Sequence, residues 1–192
     1  MEMVMIRKNL TNLSFQTFFV SREQSNCPLL PDIIRVGKEL KDIGLLKESV
    51  GVISLGYGKR ILINGKNVGV GDVKREDIIE IVDYDPVKRV FLAIGRKEPC
   101  IETPVHWLIH HARDDVNVII QLNGENLVER FSEKLPTIEK EYPPGSLELA
   151  KEILKTLRMS KSIVIQNKGT LFVGTSLKEA EDLVLKTYEE SK

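Results

Sequence analysis

Residues 99–123, PCIETPVHWLIHHARDDVNVIIQLN, contain the pattern that decides the fold. Thr103 and Pro104 predict a helix start, with a capping side chain followed by proline at the first helical position. The apolar residues after them recur at helical spacing until residues 113–115 end the helix. The next run, 116–120, is apolar and β-branched, which predicts a buried strand.

Polar side chains stand at both ends of this helix–strand unit. Glu102 immediately precedes the helix, and Gln121 and Asn123 end the strand. Because the two amides are two residues apart in a strand, their side chains point to the same face. A carboxylate and two amides on adjoining elements predict the floor of a binding site.

The composition is that of an ordinary globular domain. With 192 residues the chain can bury a sizeable core, so we expect one domain over 1–192, with 1–28 as an N-terminal extension. The 28 basic and 28 acidic residues cancel, which gives no electrostatic basis for binding nucleic acid or a membrane surface. No apolar run is long enough to span a bilayer. The two cysteines favour a reducing cytoplasm over a disulfide framework.

The remaining patterns predict an α/β protein. Helices are expected from residue 31, over 127–131, from 146 and from 176, and strands over 15–20, 50–55, 60–63, 78–82, 90–94, 163–165 and 170–173. The proline-containing segment 135–145 is expected to be a loop. This order predicts a three-layer α/β/α architecture, with a central, mostly antiparallel sheet and helices on both faces.

Five blocks of the chain, in their order and spacing, resemble a known family. They are 51–54 (GVIS), 99–102 (PCIE) with a histidine four residues on, 112–123, 144–150 (PGSLELA), and 167–169 (NKG) with the helix that follows. From about residue 51 to 188 the chain resembles the class II aldolase/adducin family, which includes sugar-phosphate aldolases and epimerases. The resemblance implies a class II aldolase-like fold and a homo-oligomer, a tetramer with its site at a subunit boundary.

In that family three histidines hold a divalent metal, usually zinc, which polarises the substrate carbonyl. At the three matching positions this chain has Gln121, Asn123 and Lys168. An amide oxygen is a poor zinc ligand beside imidazole, and an ammonium has no lone pair. The resemblance therefore implies no metal and no other cofactor, with divalent zinc as the alternative.

The acid/base residue of the family is retained as Glu102. We expect the Lys168 ammonium to enter the space of the metal and to face Glu102, so that two buried charges compensate each other. Gln121 and Asn123 are expected to supply hydrogen bonds and to bind substrate.

The phosphate-binding positions of the family are only partly retained. Asn64 and Gly65 resemble its second phosphate-binding turn, so they too are expected to bind substrate. Val52 replaces an asparagine of the family's first turn, and Cys100 and Ile101 replace two serines.

Three functions are open at this point. The first is metal-independent binding of a small molecule or a partner without ordinary aldolase activity, with a sugar phosphate as the ligand that the resemblance implies. The second is a sugar-phosphate aldolase or epimerase in which the catalytic residues are Glu102, as acid/base, and Lys168, as the stabiliser of an enolate. The third is a structural subunit of an oligomer.

Several side chains also have an alternative chemistry. His106 and His110, four apart on one helical face, could bind zinc together. Lys168 could form a Schiff base if burial lowered its pKa, and Cys100 could be a nucleophile beside an activating base. For each of them, a buried and unreactive side chain is the competing interpretation.

Overall fold

A computed structural model describes residues 14–46 and 50–192. The strands of this part of the chain are β1 (Gln16–Ser21), β2 (Gly51–Tyr57), β3 (Arg60–Asn64), β4 (Ile78–Asp85), β5 (Val90–Ile94), β6 (Val118–Asn123), β7 (Thr137–Ile138), β8 (Ser162–Ile165) and β9 (Gly169–Gly174). Its helices are α1 (Leu30–Asp42), α2 (Thr103–Ala112), α3 (Glu125–Phe131), α4 (Leu147–Thr156) and α5 (Leu177–Glu189). Within these stretches, no helix combines the length and the apolar character that crossing a membrane requires.

All of the described strands join one mixed sheet, in the order β1-β5-β4-β3-β2-β6-β9-β8-β7. Only the two outermost pairs, β1 with β5 and β7 with β8, are parallel. Every pair between them is antiparallel, so the expectation of a mostly antiparallel sheet is confirmed. Strand β6 lies near the middle of the sheet, which places its terminal amides beside the start of β9.

Helices cover both faces of the sheet, as predicted. On one face α1, α3 and α5 pack with the even-numbered side chains of β6, including Ile120 and Leu122. On the other face α2 and α4 pack over Ile119 and over Leu171 of β9. Alternating burial of successive strand residues against two helical layers therefore explains why β6 is apolar along most of its length.

Two local expectations are wrong. Thr103 does not cap α2: the N-cap residue is Glu102, and no side chain makes a capping hydrogen bond there. The segment 135–145 is not a loop throughout, because its residues Thr137–Ile138 form β7 beside β8. A two-residue strand is too short to show an alternating pattern. The expected N-terminal extension contains β1, and its residues 1–13 lie outside the described part of the chain.

Gly169 is a point of close approach between β9 and β6. A Cβ at this position would lie 2.1 Å from the Leu122 carbonyl oxygen and 2.7 Å from the Asn123 Cα, and the residue has a φ of +159°. Because both neighbours are backbone atoms, the clash cannot be relieved by a rotamer change. We expect Gly169→Ala to lower the free energy of unfolding by roughly 1–3 kcal/mol, measured by urea denaturation.

Gly69→Ala is the matched control, since a Cβ built at Gly69 has no atom within 4 Å. This substitution is expected to leave stability unchanged or slightly raised, because alanine restricts the unfolded chain. Equal stabilities of the two variants would mean that the approach of β9 to β6 is looser than the structure has it.

Candidate functional site

Three segments converge around a cavity of about 390 Å³. They are the start of α2, the end of β6 and the connection between β8 and β9, and the segment after β7 closes the remaining side. The polar lining of the cavity is Glu102, Asn123, Lys140, Glu141, Tyr142, Gln166, Asn167 and Lys168. The sequence-predicted residues Glu102, Asn123 and Lys168 are thus brought together at one site.

Glu102 and Lys168 form a buried ion pair at the wall of this cavity. The Lys168 Nζ lies 2.8 Å from the Glu102 Oε1, and the two side chains are only 16% and 7% exposed. The expected placement of the ammonium opposite the carboxylate is therefore confirmed. Glu102 is also the N-cap residue of α2, where the positive end of the helix dipole favours a carboxylate.

The second oxygen of Glu102 is left without a partner. Its Oε2 is buried and accepts no hydrogen bond from any residue in 14–46 or 50–192. Leaving a buried acceptor unsatisfied costs about 1–3 kcal/mol, and more for a charged group. Because this oxygen is enclosed by protein, the Lys168 ammonium supplies the charge compensation of the buried carboxylate.

Gln121 and Asn123 point to the same face of β6, as predicted, but they have different roles. Their side-chain amides are hydrogen-bonded to each other, with 2.8 Å between the Gln121 Nε2 and the Asn123 Oδ1. Asn123 lines the cavity, whereas Gln121 is 1% exposed and lies beneath α2. Within the described chain neither amide is hydrogen-bonded to Glu102 or Lys168, so the hydrogen bonds expected of the two amides are made within the network and not to the ion pair. Gln121 is held instead by a histidine of α2.

A buried polar network connects α2 to the sheet. The hydroxyl of Ser54 on β2 lies 2.7 Å from the His106 Nδ1 and 2.8 Å from the His110 Nε2. The other nitrogen of His106 lies 3.2 Å from the Gln121 amide, and that of His110 lies 3.3 Å from the Val116 carbonyl oxygen. The sequence analysis recognised the histidine pair and the 51–54 block that ends in Ser54, but it did not predict that this hydroxyl contacts the two histidines.

Both histidines are held neutral. Burial lowers the pKa of His106 to about 3 and that of His110 to about 4, and the charge of Lys168 also lowers the pKa of His106. All four ring nitrogens are used in the network, which leaves no lone pair for the alternative of a zinc site at this pair. Across residues 14–46 and 50–192, no group of three or more His, Cys, Asp or Glu side chains is placed to hold a metal ion.

The structure does not bring Asn64 and Gly65 to the cavity. The Asn64 Oδ1 accepts a hydrogen bond from the Ile53 backbone at 2.8 Å, and its Nδ2 donates to two backbone carbonyls at 3.1 Å. Gly65 forms an isolated bridge with Pro99. The asparagine side chain is thus fully used in joining β2, β3 and the following loop.

Cys100 lies beside the start of α2, and no histidine or carboxylate side chain of residues 14–46 and 50–192 is hydrogen-bonded to its thiol. Its Sγ is 3.4 Å from the Thr103 hydroxyl, and burial raises the pKa of the thiol. His106, the base considered from the sequence, is bonded to Ser54 and Gln121 instead. A raised pKa and an occupied histidine favour a half-buried, unreactive thiol.

The segment 140–142 and residues 166–167 were missed by sequence reasoning. Lys140, Glu141 and Tyr142 follow β7, and Gln166 and Asn167 form the β8–β9 turn, yet all five line the cavity. Asn167, with a φ of +59°, is a left-handed turn residue, which is a common role for asparagine. The Asn-Lys-Gly sequence was the one signal, and it indicated a turn without a ligand-facing role.

Comparison with known proteins identifies the family. The family model described as "Class II Aldolase and Adducin N-terminal domain" matches residues 31–128, which is half of the chain. No curated protein sequence is significantly similar to the chain.

Solved structures share the fold at low sequence identity. An L-fuculose 1-phosphate aldolase has 19% identity and a TM-score of 0.71, over 88% of this chain and 84% of that one. The L-fuculose-1-phosphate aldolase of Thermus thermophilus has 18% identity and a TM-score of 0.70, over 85% and 90%. The N-terminal class II aldolase domain of a conserved Thermoplasma acidophilum protein has 13% identity and a TM-score of 0.59, over 90% and 97%.

Proposed function

The chain belongs to the class II aldolase and adducin N-terminal domain family, and on that basis we propose that it binds a small polar molecule without a metal and without ordinary aldolase activity. The names of the fold relatives suggest a sugar phosphate or a related sugar as the ligand class. The observation that carries the proposal is the Glu102–Lys168 ion pair. Both residues line the cavity, and the Lys168 Nζ lies 2.8 Å from the Glu102 Oε1.

The donor set at this site does not suit a divalent cation. By the resemblance, Gln121, Asn123 and Lys168 stand where the family has its metal-binding histidines. The Lys168 ammonium has no lone pair and already neutralises Glu102, so a dication beside it would be repelled. Gln121 is committed to Asn123 and His106. Charge compensation by lysine thus supports a metal-independent site.

A second candidate function is carbon–carbon bond chemistry without a metal. The Glu102 carboxylate, which lines the cavity, is the group that would accept a proton from a carbon next to a carbonyl. The Lys168 ammonium would then stabilise the negative charge on the enolate oxygen. On this hypothesis the chain is an aldolase or epimerase, with Glu102 as acid/base and Lys168 in place of the metal.

We also propose a cytoplasmic protein that forms a homo-oligomer. The two cysteines of the chain are both free thiols, which suits a reducing compartment. The oligomer is inferred from the family, and a structural subunit is the function that would be left if no small molecule bound.

Metal independence is tested by thermal unfolding with added zinc. A metal present at a hundred times its Kd stabilises the folded state by about 2.7 kcal/mol, which would raise the Tm of a chain this size by roughly 5–10 °C. We expect no such rise for this protein, and no fall when EDTA is added. A zinc-dependent rise of that size in the wild-type chain would contradict the proposal.

The matched control restores the histidines. The triple variant Gln121→His, Asn123→His, Lys168→His keeps Glu102 and is expected to gain a zinc-dependent rise in Tm, because three imidazoles and a carboxylate form a normal zinc donor set. A zinc-dependent rise in this variant would show that the assay detects a metal at this position.

The two candidate functions are separated by an aldol-cleavage assay with L-fuculose 1-phosphate, in EDTA. Metal-independent binding predicts no cleavage above the buffer rate. Cleavage that persists in EDTA and disappears in Glu102→Gln would favour the second candidate, since the amide cannot accept the proton.

A further inference from the structure

A continuous chain of hydrogen bonds runs beneath α2 to the floor of the cavity. Its members are the Val116 carbonyl, His110, Ser54, His106, Gln121 and Asn123. Each link joins one donor to one acceptor, so the proton positions in the chain depend on one another. The two ends differ, because one is a backbone carbonyl and the other is a side chain at the cavity.

The carbonyl end fixes the direction of the first links. The Val116 oxygen can only accept, so the His110 Nδ1 carries a proton. In a neutral His110 the Nε2 is then an acceptor, and it takes the single hydroxyl proton of Ser54. The Ser54 oxygen in turn accepts from the His106 Nδ1, which places the proton of that ring on the same nitrogen.

The same logic continues into the amides. With its proton on Nδ1, a neutral His106 has a lone pair on Nε2, so Gln121 must turn its NH₂ group towards the ring. The Gln121 carbonyl then faces Asn123, which must donate its own NH₂. The oxygen and nitrogen of an amide fill interchangeable positions, so both turns leave the heavy-atom framework in place.

The opposite direction leaves one contact unfavourable. In that direction the Ser54 hydroxyl donates its proton to the His106 Nδ1, and the His110 Nε2 donates to the Ser54 oxygen. The His110 Nδ1 lone pair would then face the Val116 carbonyl, unless the ring carried a positive charge. Burial opposes such a charge, since it lowers the pKa of His110 to about 4.

We propose that His110, Ser54 and His106 are positioning residues that orient the two amides, so that Asn123 presents its carbonyl oxygen to the cavity. That oxygen gives the floor an acceptor beside the Glu102–Lys168 ion pair. Resting on the proposed binding function, the ligand class is then a molecule with a hydroxyl donor, such as a sugar or polyol. A phosphate group without hydroxyls, as a dianion, has no proton for this acceptor.

The network is tested on the free protein by long-range ¹H–¹⁵N correlation of the histidine rings, with signals assigned from His106→Gln and His110→Gln. We expect both rings to be neutral and protonated on Nδ1. A proton on the His106 Nε2, or a charged His110 ring, would overturn the proposal.

Gln121→Glu provides a second, nearly isosteric variant. A carboxylate can only accept, so it is expected to move the His106 proton to Nε2. If His106 keeps its wild-type tautomer in this variant, the orientation of the residue 121 side chain does not determine which His106 nitrogen carries the proton. That result would overturn the proposal.

The ligand class is tested by titrating L-fuculose and methyl phosphate against the Asn123 side-chain amide signal. We expect the sugar to bind at least about tenfold more tightly than methyl phosphate, because the methyl phosphate dianion has no hydroxyl donor and leaves the acceptor unpaired. Methyl phosphate that binds as tightly as the sugar overturns the ligand class. If neither compound binds, both the proposed function and the ligand class are rejected. The direction of the hydrogen-bond network is then still tested by the histidine tautomers.

Discussion

A shift from pH 7 to pH 5 is expected to lower the free energy of unfolding by about 4 kcal/mol, through the two histidines buried beneath α2. Burial lowers the pKa of His106 to about 3 and that of His110 to about 4, from 6.5 for an unperturbed imidazole. Both rings also contact the Ser54 hydroxyl, so neither can take up a proton without rearranging the network.

The sign follows from which state binds the protons. Between about pH 6.5 and pH 4 the unfolded chain protonates both histidines while the folded protein keeps them neutral, so acid favours the unfolded chain. The stabilisation is fully present above pH 6.5 and is lost as the pH falls towards the pKa values of the folded state. At pH 5 the contribution of each histidine to the free energy of unfolding is about 2 kcal/mol lower than at pH 7.

Urea denaturation at pH 7, 6 and 5 measures this loss. The window ends at pH 5 because carboxylates of the unfolded chain, with pKa values near 4, are still largely ionised there. Asp115 and Glu179, whose pKa values are lowered to about 2 by hydrogen bonds from Arg113 and Lys161, therefore add their own loss of stability mainly below pH 5. His110→Gln removes one titrating ring and is expected to halve the pH-dependent loss, whatever its stability at pH 7. A wild-type loss below about 1 kcal/mol would mean that the folded protein protonates these rings.

The order of helices and strands could be predicted because each element has a local pattern. Serine at the start of α4 is an example: Ser146 accepts a hydrogen bond from the Leu149 backbone, as a capping residue does. The β2–β3 hairpin and β6 follow from apolar, β-branched runs. β7 could not be predicted, because its pairing with β8 is a property of the assembled sheet rather than of its two residues.

The ion pair of the site was available only through the family resemblance. Glu102 and Lys168 are far apart in sequence, and no periodicity connects them. The resemblance placed both at the same point, and charge chemistry then predicted their contact. Asn64 is the opposite case. The Asn-Gly pair correctly indicated a turn, but the resemblance did not place its side chain correctly. That side chain is hydrogen-bonded to the local backbone and does not line the cavity.

The polar network beneath α2 needed the three-dimensional register. Spacing predicted that His106 and His110 share a helical face, but it gave no indication of what that face covers. Ser54 comes from β2, and its contact with both rings depends on how α2 lies across the sheet. The sequence pattern of a helix gives the direction of a side chain relative to its helix, whereas the partner depends on packing.

One face of α2 joins the ion pair to the network. Glu102, His106 and His110 succeed each other at intervals of four residues, so they lie along one side of the helix start and its first turns. His106 and His110 are fixed to β2 through Ser54, which sets the height of the helix above the sheet. The position of the Glu102 carboxylate relative to Lys168 therefore depends on contacts that lie outside the cavity.

Lys168→Met is expected to lower the free energy of unfolding by roughly 3–5 kcal/mol, because it leaves Glu102 as a buried carboxylate without its counter-charge. Glu102→Gln leaves the Lys168 ammonium unpaired in the same surroundings and is expected to have an effect of similar size. In the double variant neither charge is present, so the loss should be smaller than the sum of the single losses by about 2–3 kcal/mol.

The double-mutant cycle is measured by urea denaturation at pH 7.5, where the buried histidines are neutral in both states and do not add to the result. Lys178→Met is the matched control, because the Lys178 Nζ pairs with Asp182 at 3.0 Å while both side chains are more than half exposed. Removing such a surface pair changes stability by less than about 1 kcal/mol. Strictly additive single losses, or equal effects of Lys168→Met and Lys178→Met, would show that the ammonium does not compensate the Glu102 charge. The physical basis for a metal-independent site would then be lost, since that site depends on lysine supplying the positive charge.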